Sequence, residues 1–346
     1  MLIDVLTSQE AAVLRELIAA SSHIVITCHK SPDGDALGSA LAWAEYLHSQ
    51  WAKDPIVLVP DAYPDFLQWL PNSEKIIRYD KHQEEGDLLL KTADLVFCLD
   101  FNESGRTDQM QATLDNCQAK KVMIDHHLNP QMQTVLTVSR PDMSSTSELL
   151  FRIIWQLGGF EQMDRKMAIS IYCGMMTDTG GFTYNSTRPE IYFIIGQLLT
   201  KHIDKDRIYR KVYNNFSSWA IRLRGYLMCH KLNVIPGINA AFFSISRKEM
   251  RDFHFVRGDV EGLVNEPLRI KGMQLSISLR EDDRKPNLVW ISLRSVDDFP
   301  CNEMAEKWFN GGGHMNASGG RLFCSLEEAE QTARQAILDY SDKLRG

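Results

Sequence analysis

A chain of 346 residues, 44% hydrophobic and 24% charged, has room for about two globular domains and is too apolar for a disordered protein. No apolar run reaches the roughly 20 residues of a membrane-spanning helix, and Asp4 and Glu10 in the opening stretch do not fit a signal peptide. A net charge of −7 argues against a surface that grips long duplex DNA, yet leaves room for a short anion held by a few placed cations.

The first third alternates apolar strand-like runs with a helical pattern. The runs are Ile24–Ile26, Ile56–Val59, Leu95–Leu99 and Val122–Ile124. Their unbroken apolar character predicts strands buried on both faces of a parallel sheet. Leu37, Ala40, Leu41, Ala44 and Leu47 recur at helical spacing between the first two runs. This alternation predicts an α/β domain. Helices follow from about Ser147 to Leu199. From Lys201 to Lys231 eight basic residues face two acidic ones, which reads as a solvated connecting helix or as a basic wall beside an anion. Three further strands are expected at Ala240–Ile245, Gln274–Leu279 and Leu288–Leu293. A glycine-rich loop at Gly311–Gly320 and a closing helix from about Leu326 to Leu344 complete the map. The expected organisation is an N-terminal domain over 1–200, a basic helical linker over 201–230, and a smaller α/β domain over 231–346. The seven cysteines, odd in number and without C-x-x-C pairing, read as small core residues in a reducing compartment.

The chemistry gathers at strand ends, where open α/β sheets bind ligands. His29, Asp33 and Asp35 lie on the turn after the first run, with Pro32 and Gly34 bending it. Asp100 follows the Leu95–Leu99 run, and Asp125-His126-His127 follow Val122–Ile124. Asp178 ends an apolar helix running from Met167, with Gly180 as its stop. Each motif alone has an ordinary reading as a turn or a helix cap. Several carboxylates converging on one cleft would repel unless cations neutralise them. Mixed imidazole and carboxylate ligands without cysteine suit Mn²⁺, with Mg²⁺, Co²⁺ or Fe²⁺ as other candidates. Two such ions form a known clamp for phosphoryl hydrolysis. In Gly311–Gly320, successive glycines allow backbone amides to approach an anion. His314, Asn316 and Ser318 add donors, and Arg294 after a strand offers a bidentate phosphate contact.

His29-x-x-x-Asp33-x-Asp35, Asp100, Asp125-His126-His127 and Asp178 together resemble the four motifs of the DHH phosphoesterases. Arg294 and the Gly311–Gly320 segment resemble the DHH-associated C-terminal domain. The resemblance runs from about 20 to 330, in the expected order, and is closest to the nanoRNase and pAp phosphatase branch. It implies an active-site cleft between the two domains and a hydroxide bridging two cations. One cation would be held by His29, Asp33 and Asp100, the other by Asp35, Asp100, His126 and Asp178. Asp125 would act from behind, and His127 would face the phosphate as a general acid or phosphate stabiliser. Arg106, Arg294, Gly313 and His314 would hold substrate. The implied activity is hydrolysis of very short oligoribonucleotides such as pApA, and of pAp (3′-phosphoadenosine 5′-phosphate), in the cytoplasm, by a protein without membrane attachment and compatible with a homodimer. Competing readings are a cyclic-dinucleotide phosphodiesterase, an inorganic pyrophosphatase or exopolyphosphatase, and a nucleotide sensor without turnover.

Overall fold

The computed structural model describes residues 2–256 and 258–345. They form two compact units that divide between Asn215 and Phe216. No helix among the described residues is long and apolar enough to cross a membrane.

In the first unit, α1 (Ser8–Ala20) precedes β1 (Ile24–Thr27), α2 (Gly34–Trp51), β2 (Ile56–Val59), β3 (Ile77–Arg78), α3 (Gln83–Thr92) and β4 (Leu95–Leu99). Then come α4 (Gln111–Asn116), β5 (Lys120–Asp125), β6 (Leu136–Ser139), α5 (Thr146–Gln156), α6 (Arg165–Asp178), α7 (Pro189–Leu199) and α8 (Lys205–Tyr213). The sheet has the order β3-β2-β1-β4-β5-β6 and every pairing is parallel. The four apolar runs are its four inner strands. Alternate residues of one strand serve opposite faces. Ile24, Ile26, Phe97, Leu99, Val122 and Ile124 meet α2, α5 and α6 in one core, while Val25, Val96, Cys98 and Met123 join the α3–α4 side in another. The two edge strands were not expected from sequence. β3 has two residues, and β6 alternates buried with more exposed positions.

The second unit opens with α9 (Ser218–Tyr226) and adds β7 (Asn233–Val234), β8 (Ala240–Ile245), α10 (Arg247–Asp252), β9 (Leu275–Glu281) and β10 (Val289–Ser295). It closes with α11 (Cys301–Phe309), β11 (Gly312–His314), β12 (Ala317–Leu322), α12 (Leu326–Asp339) and α13 (Ser341–Leu344). Its sheet order is β11-β12-β10-β9-β8-β7, with β8–β9 parallel and the other pairs antiparallel. Leu275, Ile277, Leu279, Ile291 and Leu293 pack one face against α11 and α12.

The expected glycine loop is instead a β-hairpin. Glycine is a poor strand former, but here the backbones touch. A Cβ at Gly311 would lie 1.9 Å from the carbonyl oxygen of Gly319, and one at Gly320 would lie 2.4 Å from that of Phe309. The basic stretch folds mainly as α8 and α9. Several of its cations lie over aromatic rings: Lys201 over Phe160, Lys211 over Trp69 and Arg224 over Phe216. Of the cysteines, five are buried, Cys229 is exposed and Cys324 is intermediate.

Candidate metal centre

The loop between β1 and α2 owes its shape to helix capping. Asp33 is the N-cap of α2, its Oδ1 accepting the amides of Asp35 and Ala36, each at 3.0 Å. This satisfies two of the orphan donors of the helix start and leaves Oδ2 3.8 Å from His29 Nε2. Glycines then let α2 and α6 press together. A Cβ at Gly38 would sit 2.6 Å from the Ser170 carbonyl, and one at Gly34 would sit 2.3 Å from Thr177 Oγ1. The first turn of α2 and the last turn of α6 thus come close enough for Asp35 and Asp178 to feel each other's charge.

Asp100 follows β4 with φ of 64°. Few residues without glycine's freedom adopt this left-handed backbone, and aspartate is among them. Its carboxylate is nearly enclosed. Oδ2 lies 3.4 Å from His29 Nε2, and Oδ1 lies 3.6 Å from His126 Nε2. His126 Nε2 is also 3.4 Å from Asp178 Oδ2. The neighbouring imidazole, His127, has its Nδ1 2.7 Å from Asp125 Oδ1. Within the first unit the ligand atoms form three overlapping groups, each within 4.8 Å: His29, Asp33 and Asp100; Asp35, Asp100 and His126; Asp100, Asp125 and His127.

The cluster is electrostatically strained without a cation. Burial, reinforced by the charges of Asp100 and Asp178, pushes the Asp35 carboxyl well above the usual range. Burial and the negative charges of Asp33 and Asp100 outweigh His126 at Asp178, which rises to about 7. Burial works against a charged His126, but Asp178, Asp100 and Asp35 overcome it and lift the imidazole to about 9. Burial opposes ionisation of Asp100 too, yet its hydrogen bond with His29 and the surrounding imidazoles hold it well below the usual carboxylate range. Asp125 Oδ2 is buried without a hydrogen-bond partner among the described residues. Carboxylates and imidazoles that must borrow protons to coexist fit the chemistry of a divalent cation site.

Of the other residues singled out from sequence, Arg106 is half-buried near His29. Its carbonyl accepts the Lys30 amide at 2.7 Å, and its charge opposes protonation of His29. In the second unit, Arg294 pairs across the sheet with Ala317, and its Nε is buried without a partner among the described residues. His314 faces Ala317 and Gly313 faces Ser318 in the hairpin. Asn316 and Ser318, expected as ligand donors, are spent within the fold. The Asn316 amide donates to Ser295 Oγ and the Asp297 carbonyl, and the buried Ser318 hydroxyl donates to the His314 carbonyl at 2.7 Å.

Sequence reasoning missed the segment Met143–Ser147, which touches three of the clustered side chains. The Met143 carbonyl lies 3.2 Å from His126 Nδ1. The Thr146 hydroxyl donates to Asp100 Oδ1 at 2.9 Å. The amides of Thr146 and Ser147 donate to Asp35 at 2.7 and 2.9 Å. The available signal was Ser145 three residues before Glu148, a helix-start spacing.

Residues 23–175 match the DHH family, N-terminal domain. Over 312 residues the chain is 26% identical to the bifunctional oligoribonuclease and PAP phosphatase NrnA of Bacillus subtilis, with 89% of this chain and 91% of that protein covered. The protein of the same name from Thermus thermophilus is 26% identical over 332 residues, covering 94% and 92%. The crystal structure of an exopolyphosphatase-related protein from Bacteroides fragilis matches with a TM-score of 0.94 and 46% identity, covering 100% of both chains.

Proposed function

The chain carries a DHH family domain over residues 23–175, and from that premise we propose that it is a metal-dependent phosphohydrolase of short nucleotides. Its substrates are very short oligoribonucleotides, cut to mononucleotides, and pAp; the names of the Bacillus and Thermus relatives give an oligoribonuclease and PAP phosphatase activity for those proteins. The observation that carries this reading is Asp100. One buried carboxylate lies 3.4 Å from His29 and 3.6 Å from His126, so it can serve two cation positions at once.

We assign His29, Asp33 and Asp100 to one position, and Asp35, Asp100, His126 and Asp178 to the other. The bound pair, Mn²⁺ foremost, would supply a water of lowered pKa and neutralise phosphate oxygens. The chain's own work is positional. Asp125 fixes the His127 ring through Nδ1, which directs Nε2 to the substrate as a general acid or phosphate donor. Asp125 itself acts through that imidazole. Arg106 lends positive charge beside His29. In the second unit, which we read as the substrate-binding domain, the unpaired Arg294 Nε and the hairpin at Gly313 and His314 hold the substrate. Asn316 and Ser318 shape that hairpin from within. A working place in the cytoplasm goes with this reading.

A panel of pApA, pAp, cyclic di-AMP and pyrophosphate, each with added Mn²⁺, tests it. Turnover of pApA and pAp above the other two is expected. Preference for pyrophosphate would move the assignment towards the activity that the name of the Bacteroides protein suggests. Preference for cyclic di-AMP would make the chain a cyclic-dinucleotide phosphodiesterase, and silence on all four would leave a sensor.

A further inference from the structure

The segment before α5 is bound on both sides. On one side it touches three side chains of the candidate metal centre. Two successive backbone amides, of Thr146 and Ser147, grip the two oxygens of Asp35, the Thr146 hydroxyl grips Asp100, and the Met143 carbonyl meets His126 Nδ1. On the other side it is tied down by Glu148, a fully buried carboxylate. Glu148 Oε2 accepts both the amide and the hydroxyl of Ser144, at 2.8 and 2.7 Å. Its Oε1 takes Nε and Nη2 of Arg152 at 2.9 and 2.7 Å, and Arg188 Nη2 reaches Oε2 at 2.6 Å. Ser145 Oγ caps the helix by accepting the Glu148 amide.

We propose that Met143–Ser147 is a positioning strap for the metal centre, with Thr146 its principal side chain, and that the Glu148–Arg152–Arg188 ion cluster holds the strap in register.

Three physical points favour this. Ionised carboxylates grouped together repel, so each needs donors that fix its rotamer and lower its energy. The strap gives Asp35 two charge-assisted bonds from groups that cannot rotate away, and gives Asp100 one. A buried carboxylate with five polar contacts is expensive to desolvate, and its removal would strand two guanidinium groups. Such a cluster is a costly way to gain stability but a stiff anchor for a segment that must not drift. Finally, His126 uses Nδ1 on the Met143 carbonyl, which leaves Nε2 as the nitrogen directed at Asp100 and Asp178. Fixing the tautomer of an imidazole ligand from behind is a recognised function of outer contacts.

The inference rests on the reading of the cluster as a cation site, so its test measures binding and backbone protection apart from turnover. Thr146→Val keeps the shape and the backbone amide but removes the hydroxyl. Thr146→Ser restores it. Mn²⁺ titrated calorimetrically into metal-free protein should bind Thr146→Val about 10- to 100-fold more weakly than wild type, the usual cost of losing an outer contact. Thr146→Ser should recover most of the affinity, and the melting temperature of metal-free Thr146→Val should stay close to wild type. Arg188→Gln, altering an ion-pair partner that is partly exposed, should speed amide hydrogen exchange at Thr146 and Ser147 in the metal-free protein and weaken Mn²⁺ binding by a smaller factor. Wild-type affinity in Thr146→Val, or a Thr146→Ser as weak as it, would overturn the role of Thr146. Unchanged exchange in Arg188→Gln would overturn the anchor. If wild type itself takes up no Mn²⁺, the cation reading falls, and the exchange measurement still decides whether the ion cluster holds the strap.

Discussion

In the first unit, Asp35 and Asp100, 1% and 2% exposed, crowd with two further carboxylates and two imidazoles, and their charge is only partly balanced. In the second unit, the polar groups of Asn316 and Ser318 find protein partners, and Arg294 keeps a single buried donor unused. Both regions sit at the ends of strands, but they are built for different tasks. The first gathers carboxylates whose charge must be offset by protons or by cations. The second is a tight backbone hairpin with one spare cationic donor, suited to holding an anion and not to activating it. On the proposed reading the division is between chemistry and grip, and substitutions should separate the two.

Asp100→Ala should have the largest effect. Asp100 belongs to all three overlapping ligand groups within the first unit, so no neighbour can replace it. Turnover should vanish and calorimetry should register the loss of at least one Mn²⁺ site. Next comes His127→Ala, which should lower kcat by about 10²–10⁴, the range for a lost acid–base group, while both cation sites still fill. Loss of a cation site in that variant would show that His127 is a ligand. Arg294→Ala should act in the other sense, raising KM by roughly ten- to hundredfold, as for a lost charge-assisted hydrogen bond, with kcat and Mn²⁺ affinity little changed. A drop in kcat alone would erase the division between the units.

The smallest effect expected is on the pH dependence of stability. In the metal-free protein, His126 is lifted from 6.5 to about 9 by surrounding carboxylates. The folded state therefore holds a proton that the unfolded state releases earlier. That stabilisation is complete below about pH 6.5 and is lost as pH rises through about 9. Thermal melts of chelator-treated protein should show melting temperature falling across this window, and added Mn²⁺, competing with the same proton, should flatten or reverse the slope. An unchanged slope with Mn²⁺ would argue that no cation displaces the His126 proton.

Much of the first unit was legible because burial on both faces leaves a plain signature. The inner strands are unbroken apolar runs, and the chemistry-bearing Asp and His residues stand beyond such runs, except Asp178, which ends α6. The edge strands β3 and β6 escaped because edges need neither length nor full burial. The hairpin escaped because its glycines read as room for amides to approach an anion, whereas Gly311 and Gly320 let backbones of the fold touch each other. Asn316 and Ser318 were read by residue type alone, and type does not tell whether a donor is already spent. The Met143–Ser147 strap was invisible for a related reason. Its contacts to His126 and Asp35, and one of those to Glu148, come from backbone atoms, and such contacts need no distinctive side chain.

The central claim is that Asp100 stands between two cation positions in the first unit. Crystals soaked in Mn²⁺ and measured at the manganese absorption edge test it directly. The account predicts two anomalous peaks, both within coordination distance of the Asp100 carboxylate, one shared with His29 and Asp33 and the other with Asp35, His126 and Asp178. A single peak, or two peaks that do not share Asp100, would contradict it.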